Sequence, residues 1–219
     1  MLKKVLFIVL FLKITRSGGG LLLLQDYAEV SQGSILSRIK EHPSDDSIKM
    51  SLYTMKEMNE SLGEEYYRSK EKPQEVYVLK ERYHEFPMTK EGMVLINLQS
   101  HQAVAVRKEY VDKLVPSNFA IIEPIDNRLD VTYLQWFINE HPSCRKQLRI
   151  ATQGTVVSAL SIKMLRELKM ELPAYNKQQM IGNMNRIIDR KRRLINERLH
   201  LEELLVKQLS INYLKEEIK

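Results

Sequence analysis

The sequence predicts an α+β protein in two parts: one mixed α/β globular domain over residues 21–175, then a long coiled-coil-like helix over residues 176–219. Three observations carry the prediction. Short segments rich in Val, Ile and aromatics, punctuated by proline, fill the middle of the chain. Helical spacing of apolar residues sets in after Asp130, and beyond Pro173 an apolar repeat runs for about 40 residues with Gly182 as its only glycine and with no proline.

Residues 1–20 hold four Lys or Arg and no acid. Met1-Leu2-Lys3-Lys4 and the apolar run Val5–Leu12 imitate a secretory signal. Eight apolar residues are too few for a bilayer, which needs about 20, and no A-x-A cleavage site precedes Gly18–Gly20. The segment is read as a leader or extra segment outside the domain, with an edge strand or an early start codon as the plainer accounts. The expectation is a cytoplasmic protein with no membrane partner.

A first strand, Leu21–Val30, leads to the turn Ser31-Gln32-Gly33, and further strands are expected at Glu75–Leu79, Met93–Leu98, Ala103–Arg107 and Phe119–Ile122. Pro73, Pro87, Pro116 and Pro124 fall between or beside them, where turns and strand ends belong. Val131, Leu134, Phe137 and Ile138 then repeat at three and four residues, predicting a short amphipathic helix that ends at His141-Pro142. A second helix, capped by Ser143, runs to about Ile150. Ala151–Val157 reads as a glycine turn feeding a short strand, Ser158–Lys169 as another helical turn or two, and Met170–Pro173 as an extended close.

In the final helix Met184, Ile187, Ile188, Leu194, Ile195, Leu201 and Leu205 mark an apolar stripe with nothing downstream to cover it. Such a face either folds back on its own domain or pairs with another chain.

Composition narrows the function only slightly. Hydrophobic residues make up 43% and charged residues 28%, which is ordinary for a globular chain and excludes a disordered one. The net charge of +6 is uneven: residues 21–175 carry 20 bases and 22 acids, so a nucleic-acid role requires a local basic surface. The one cysteine, Cys144, forms no internal disulfide and no multi-thiolate zinc site; with His141 three residues earlier it is read as a helix-end cysteine before a nucleophile. No Pro-Pro pair is present to hold a flipped adenine and no Gly-Lys-Ser/Thr cradle to hold a nucleotide phosphate, while His84-Glu85 meets Met88 where a zinc protease needs its second His. The expectation is therefore a non-catalytic protein with no cofactor and no metal.

The order of the pieces matters more than any one of them. A Leu24-Gln25-Asp26-Tyr27-Ala28-Glu29-Val30-Ser31-Gln32-Gly33 strand, a Lys90–Ile96 segment and the Tyr133-Leu134 helix come first. Ala151-Thr152-Gln153-Gly154-Thr155 follows, then Leu165 through Leu168 to Glu171-Leu172-Pro173, and Lys177-Gln178-Gln179-Met180-Ile181. This order resembles the target recognition domain and following helix of the specificity subunit of Type I restriction-modification systems, over about Leu23–Leu209. In that family a subunit has two recognition domains held apart by two antiparallel helices, and it chooses the DNA site for methyltransferase and motor-nuclease subunits. One domain and one helix make this chain resemble a half-subunit. The resemblance implies double-stranded DNA, a methyltransferase subunit and in complete systems a motor-nuclease as partners, and pairing as a homodimer or with a second specificity chain. The alternative is a homodimeric protein-interaction module without a DNA role.

Reading bases needs Arg for guanine and Asn or Gln for adenine. Three clusters supply them: Ser34–Lys40, the polar loop Asn97–Gln102, and Arg145–Thr155. Arg38, Gln99, Gln102, Arg149 and Gln153 are the candidates for base contact, and Lys40, Arg145 and Lys146 for phosphate. Trp136 reads as core. The basic run Arg190–Arg193 reads as solvated charge, phosphate contact or a polar break that sets helix register.

Overall fold

The computed structural model describes residues 22–64, 74–152 and 159–217. The segment 1–20, Gln153 and the strand expected after Gly154 lie outside the described residues. In chain order the elements are β1 (Leu22–Leu23), β2 (Ala28–Gln32), α1 (Leu36–Ile39), β3 (Ser47–Ser51), α2 (Met55–Leu62), β4 (Glu75–Leu79), β5 (Val94–Asn97), β6 (Ala103–Ala105) and β7 (Phe119–Pro124). Helices α3 (Val131–Glu140), α4 (Pro142–Thr152) and α5 (Ile162–Arg166), strand β8 (Lys169–Met170) and the long α6 (Tyr175–Glu217) complete it. The α+β class and the long terminal helix are as the sequence predicts.

The central sheet is antiparallel with order β2-β7-β5-β6, in a register that sets Val30 beside Ile122 and Leu95 between Ile121 and Val104. Alternate residues feed two cores. Val30, Val94, Ile96 and Ile122 meet Leu134, Phe137 and Ile138 of α3 and Leu148 of α4, all buried. Leu95, Val104, Phe119 and Ile121 meet Tyr53 with Met58 and Leu62 of α2. A third, smaller core joins Ile39 of α1 to Met50, Val76 and Val78 of the β3–β4 pair and to Leu114.

Three expectations change. The first strand is not continuous: Leu24 N donates to Leu168 O at 2.9 Å, its side chain enters the core, and Leu24–Asp26 make a 3-10 turn closed by Leu23 N donating to Asp26 Oδ2. Ser143 does not cap α4, because the helix begins at Pro142, whose missing N–H costs nothing at a first position. Helix α2 and strand β3 were not anticipated. Thr54 and Glu57 cap α2 reciprocally, Thr54 N donating to Glu57 Oε2 at 2.8 Å, and Gly63 ends it in the left-handed region at φ 70°.

Helix α6 sits on the domain through an unexpected face. Gln178, 1% exposed, accepts from Asp130 N and donates to Arg128 O and Pro173 O. Gly182 lies so close to Thr132 that a Cβ would fall inside its side chain. Asp189 is buried; its carboxylate accepts from Gln135 Nε2 at 2.9 Å and Asn185 Nδ2 at 3.1 Å. Arg192 Nη1 donates to Leu62 O and Asn196 Nδ2 to Gly63 O, both at the end of α2. Apart from Ile181, which packs against the first core, the docked seam is polar, and the apolar stripe points the other way. Met184, Ile187, Ile188, Leu194, Ile195, Leu201, Leu205 and Leu209 are 47–67% exposed.

Candidate nucleic-acid interface

Sheet topology gathers two of the three polar clusters at one end. There β2 finishes, β7 starts, β5 finishes and β6 starts. Gln32 Nε2 donates to Ser117 O at 2.7 Å, Gly33 N to Phe119 O, Ser34 N to Val115 O, and Leu98 N to Asn118 O. The backbone at Gly33 passes so close to the Pro116 carbonyl that no Cβ fits. Downstream of the third cluster, Leu160 N donates to Leu98 O at the same end, at 2.8 Å.

The loop between β5 and β6 is held from within. Asn97, 3% exposed, accepts at Oδ1 from Gln99 N (3.0 Å) and Ser100 N (2.8 Å), and His101 takes a positive φ of 60°. Asn97 is thus the brace of the loop, and Gln99 and Ser100 are its exposed tip. In α1, Ile39 anchors the turn in the third core and leaves Arg38 and Lys40 exposed. In α4, Cys144 and Leu148 are buried while Arg145, Lys146 and Arg149 are exposed. Among the described residues none of these five cations is within ion-pair distance of a carboxylate, in contrast with Lys49–Glu75, Arg107–Glu109 and Lys113–Glu57. Free cations are what phosphate contact requires.

Two candidates face elsewhere. Gln102 Nε2 donates to both oxygens of Glu64 at 3.0 and 2.9 Å, and Gln102 and Arg145 border a cleft of about 440 Å³ between the domain and α6. Glu64, Glu140 and Asp189 line the same cleft. Burial raises the Asp189 carboxyl to about 6, against the pull of Arg192 and the Gln135 bond, with Glu140 and Glu64 adding to the rise. The three carboxylates make this side unfavourable for phosphate, whereas Arg38, Lys40, Gln99, Lys146 and Arg149 stand clear of it.

The basic run divides between faces. Asp189, Arg192 and Arg193 turn to the domain, Arg193 lying 3.9 Å from Glu109, while Arg190 and Lys191 are exposed. Trp136 is half-buried against the first core. Burial pushes the Cys144 thiol up to about 12, and the His141 ring stacks on Phe137 with its pKa lowered by burial, so this pair is no thiolate–imidazolium nucleophile. Among the described residues no group of three or more His, Cys, Asp or Glu can hold a metal, and no helix is long and apolar enough to cross a membrane.

The polar loop end thus sits on a mixed α/β domain joined to one long helix. No family model and no curated protein matches the sequence. Solved structures do match, and their fold is that of specificity subunits of Type I restriction-modification systems. The S subunit of the Type I system from M. genitalium superposes with TM-score 0.55 at 13% identity, over 90% of this chain and 46% of that one. The HsdS subunit from Thermoanaerobacter tengcongensis gives 0.50 at 13% identity, over 83% and 40%. A chain from the structural study of assembly and conformational transition of the type I R-M system gives 0.54 at 14%, over 88% and 44%. The chain therefore spans less than half the length of each.

Proposed function

We propose that the chain is a half-subunit form of a Type I specificity subunit: a non-catalytic, sequence-specific DNA-binding module that directs a methyltransferase, and in complete systems a motor-nuclease, to a bipartite site. One observation carries the reading. Nine-tenths of the chain superposes on part of a specificity subunit with TM-score 0.55, and the described residues form one mixed α/β domain and one long helix whose apolar face is exposed.

Two copies joined through α6, or one copy and a second specificity chain, restore two domains. A homodimer presents the same surface twice about a twofold axis and selects an interrupted palindrome. Arg38, Gln99 and Arg149 are the base-reading candidates that the exposed loop end favours, with Lys40 and Lys146 on phosphate. Gln102 and Arg145, on the acidic cleft, support the domain–helix joint in this reading, and Gln153 keeps its place as a base candidate.

The test is a binding selection on randomised duplexes with the purified chain, alone and with its methyltransferase. A bipartite motif and a salt-dependent shift are expected. A well-folded dimer that selects no motif and shifts no duplex would leave the protein-interaction module as the correct reading. Methyl transfer by the pure chain would overturn the non-catalytic part.

A further inference from the structure

The β5–β6 hairpin carries the polar loop 97–102, and β6 has no strand beyond it in the central sheet. Backbone groups on such an edge need other partners. Helix α3 supplies them. Ala103 N donates to Asn139 Oδ1 and Ala103 O accepts from Asn139 Nδ2, both at 2.8 Å, while Ala105 N donates to Gln135 Oε1 at 2.9 Å. Gln135 Nε2 in turn donates to Asp189 Oδ2 of α6 at 2.9 Å. The strand that follows the loop is therefore one side chain away from the long helix.

The loop itself is reached from the end of α2. Arg192 Nη1 donates to Leu62 O at 3.2 Å and Asn196 Nδ2 to Gly63 O at 2.8 Å. Gly63 lies so close to α6 that a Cβ would fall 2.6 Å from Asp189 O and 2.9 Å from Arg193 N. The next residue, Glu64, accepts from Gln102 Nε2 at both carboxylate oxygens, and Gln102 O closes the loop by accepting from Asn97 N at 2.9 Å. Three consecutive residues, Leu62, Gly63 and Glu64, thus touch α6 with two and the foot of the loop with the third. The other side of the domain differs. Val30 O, on the opposite sheet edge, accepts from Arg166 of α5, and α1 has no hydrogen bond to α6 among the described residues.

We propose that Glu64 is a positioning residue through which the seat of α6 on the domain sets the β5–β6 loop, and with it the placement of Gln99. Glu64 lines the acidic cleft and acts only through Gln102. Hydrogen bonds are directional, so a tilt of α6 carries the end of α2 and the loop with it. Arg38 and Lys40 stay where α1 holds them. Because Asn139 and Gln135 keep β6 in place, loss of the Glu64 bond frees the loop and leaves the hairpin paired.

The proposal rests on the reading of this loop as a DNA-reading element, and hydrogen exchange of the full chain without DNA separates the two. Glu64→Ala cuts the tie at the loop, and Arg192→Ala with Asn196→Ala cuts it at the helix. Each should speed amide exchange over residues 97–102 about threefold to tenfold and leave residues 34–40 at the parent rate. Glu64→Gln keeps an acceptor oxygen and should stay close to the parent. Parent rates at 97–102 in both alanine variants, or an equal rise at 34–40, overturn the proposal. On selected duplexes, Glu64→Ala should relax preference at the position that Gln99→Ala relaxes, and the two together should lose no more than the larger single effect, whereas Lys40→Ala should add to Glu64→Ala in full. Additive losses from Glu64 and Gln99 overturn it as well. Faster loop exchange in the variants of a parent chain that shifts no duplex supports the tie between helix and loop and overturns the DNA reading alone.

Discussion

Replacing Asp189 by Asn should make the protein more stable, and only above a certain pH. Asp189 is a carboxyl on the docked face of α6, 9% exposed, with its usual value of 3.8 raised to about 6 chiefly by burial. A carboxyl whose folded pKa lies above its unfolded one favours folding in its neutral form. That contribution is complete below about pH 4 and is lost as pH rises through about 6. The interval between 3.8 and about 6 corresponds to a ceiling of about 3 kcal/mol. The carboxylate borders the water-accessible cleft and keeps Arg192 at 3.5 Å, so about 1–2 kcal/mol is the expected net cost of ionising it. An Asn side chain keeps an acceptor for Gln135 and has no charge to desolvate. At pH 8 the variant should therefore melt about 3–6 °C higher, since roughly 1 kcal/mol moves the midpoint by about 2–4 °C for a chain of this size. The gain should vanish by about pH 4. Circular-dichroism melts of both proteins at matched concentration across pH 4–8 measure it. A variant less stable than the parent at pH 8 would show that the Arg192 and Asn185 contacts outweigh desolvation, and the account of the seam would be wrong.

Further outcomes follow from the same geometry. Gly182→Val puts a side chain where Thr132 already stands and should cost about 1–3 kcal/mol in the same melts, with α6 loosened from α3. Leu194→Glu together with Leu201→Glu should give monomers or aggregates by light scattering, because each introduces a charge into the exposed apolar face that the proposed pairing covers. On DNA, Gln99→Ala should cost about 1–3 kcal/mol and relax preference at one position of the site. Lys40→Ala should weaken all sequences alike and reduce the salt slope by about 1; identical behaviour of the two would displace the proposed reading face.

Parts of the architecture follow from local pattern and parts do not. Strand β4 appears as Glu75–Leu79 in both readings, and α3 and α6 begin within a residue of where Asp130 and Pro173 place them, because long periodic or β-branched runs carry their own signal. Strand β3 was missed since Ser47-Ile48-Lys49-Met50-Ser51 has too few β-branched residues to stand out; its place is set by β4 across the sheet. The cap of α2 was readable, in Thr54…Glu57 and in Gly63, but an apolar-period search passes over a helix with so few apolar residues. At the candidate interface the polar loop after β5 was visible, yet its division of labour was not. That Asn97 braces while Gln99 projects, and that Gln102 is spent on Glu64, depends on contacts across 38 residues and on a turn whose His101 has positive φ. The largest surprise is α6. Apolar periodicity names the face that wants covering, and the domain is one candidate to cover it; besides Ile181, the docking contacts instead come from Gln178, Asn185, Asp189, Arg192 and Asn196, which no hydropathy pattern would select.

That polar seam has a consequence for how such a module can change. The hydrogen bonds that Gln178 accepts from Asp130 N and donates to Arg128 O and Pro173 O fit one angular placement of the domain and reject its neighbours, since a few tenths of an ångström lose them. Apolar area, by contrast, sums without regard to direction. Aim and grip are therefore written in different chemistries on opposite sides of a single helix. In the proposed pair, substitutions on one side would retune how firmly the helices hold each other while the loops stay pointed where they were, and exchanges on the other would swing the loops to a new bearing while the hold is unaltered.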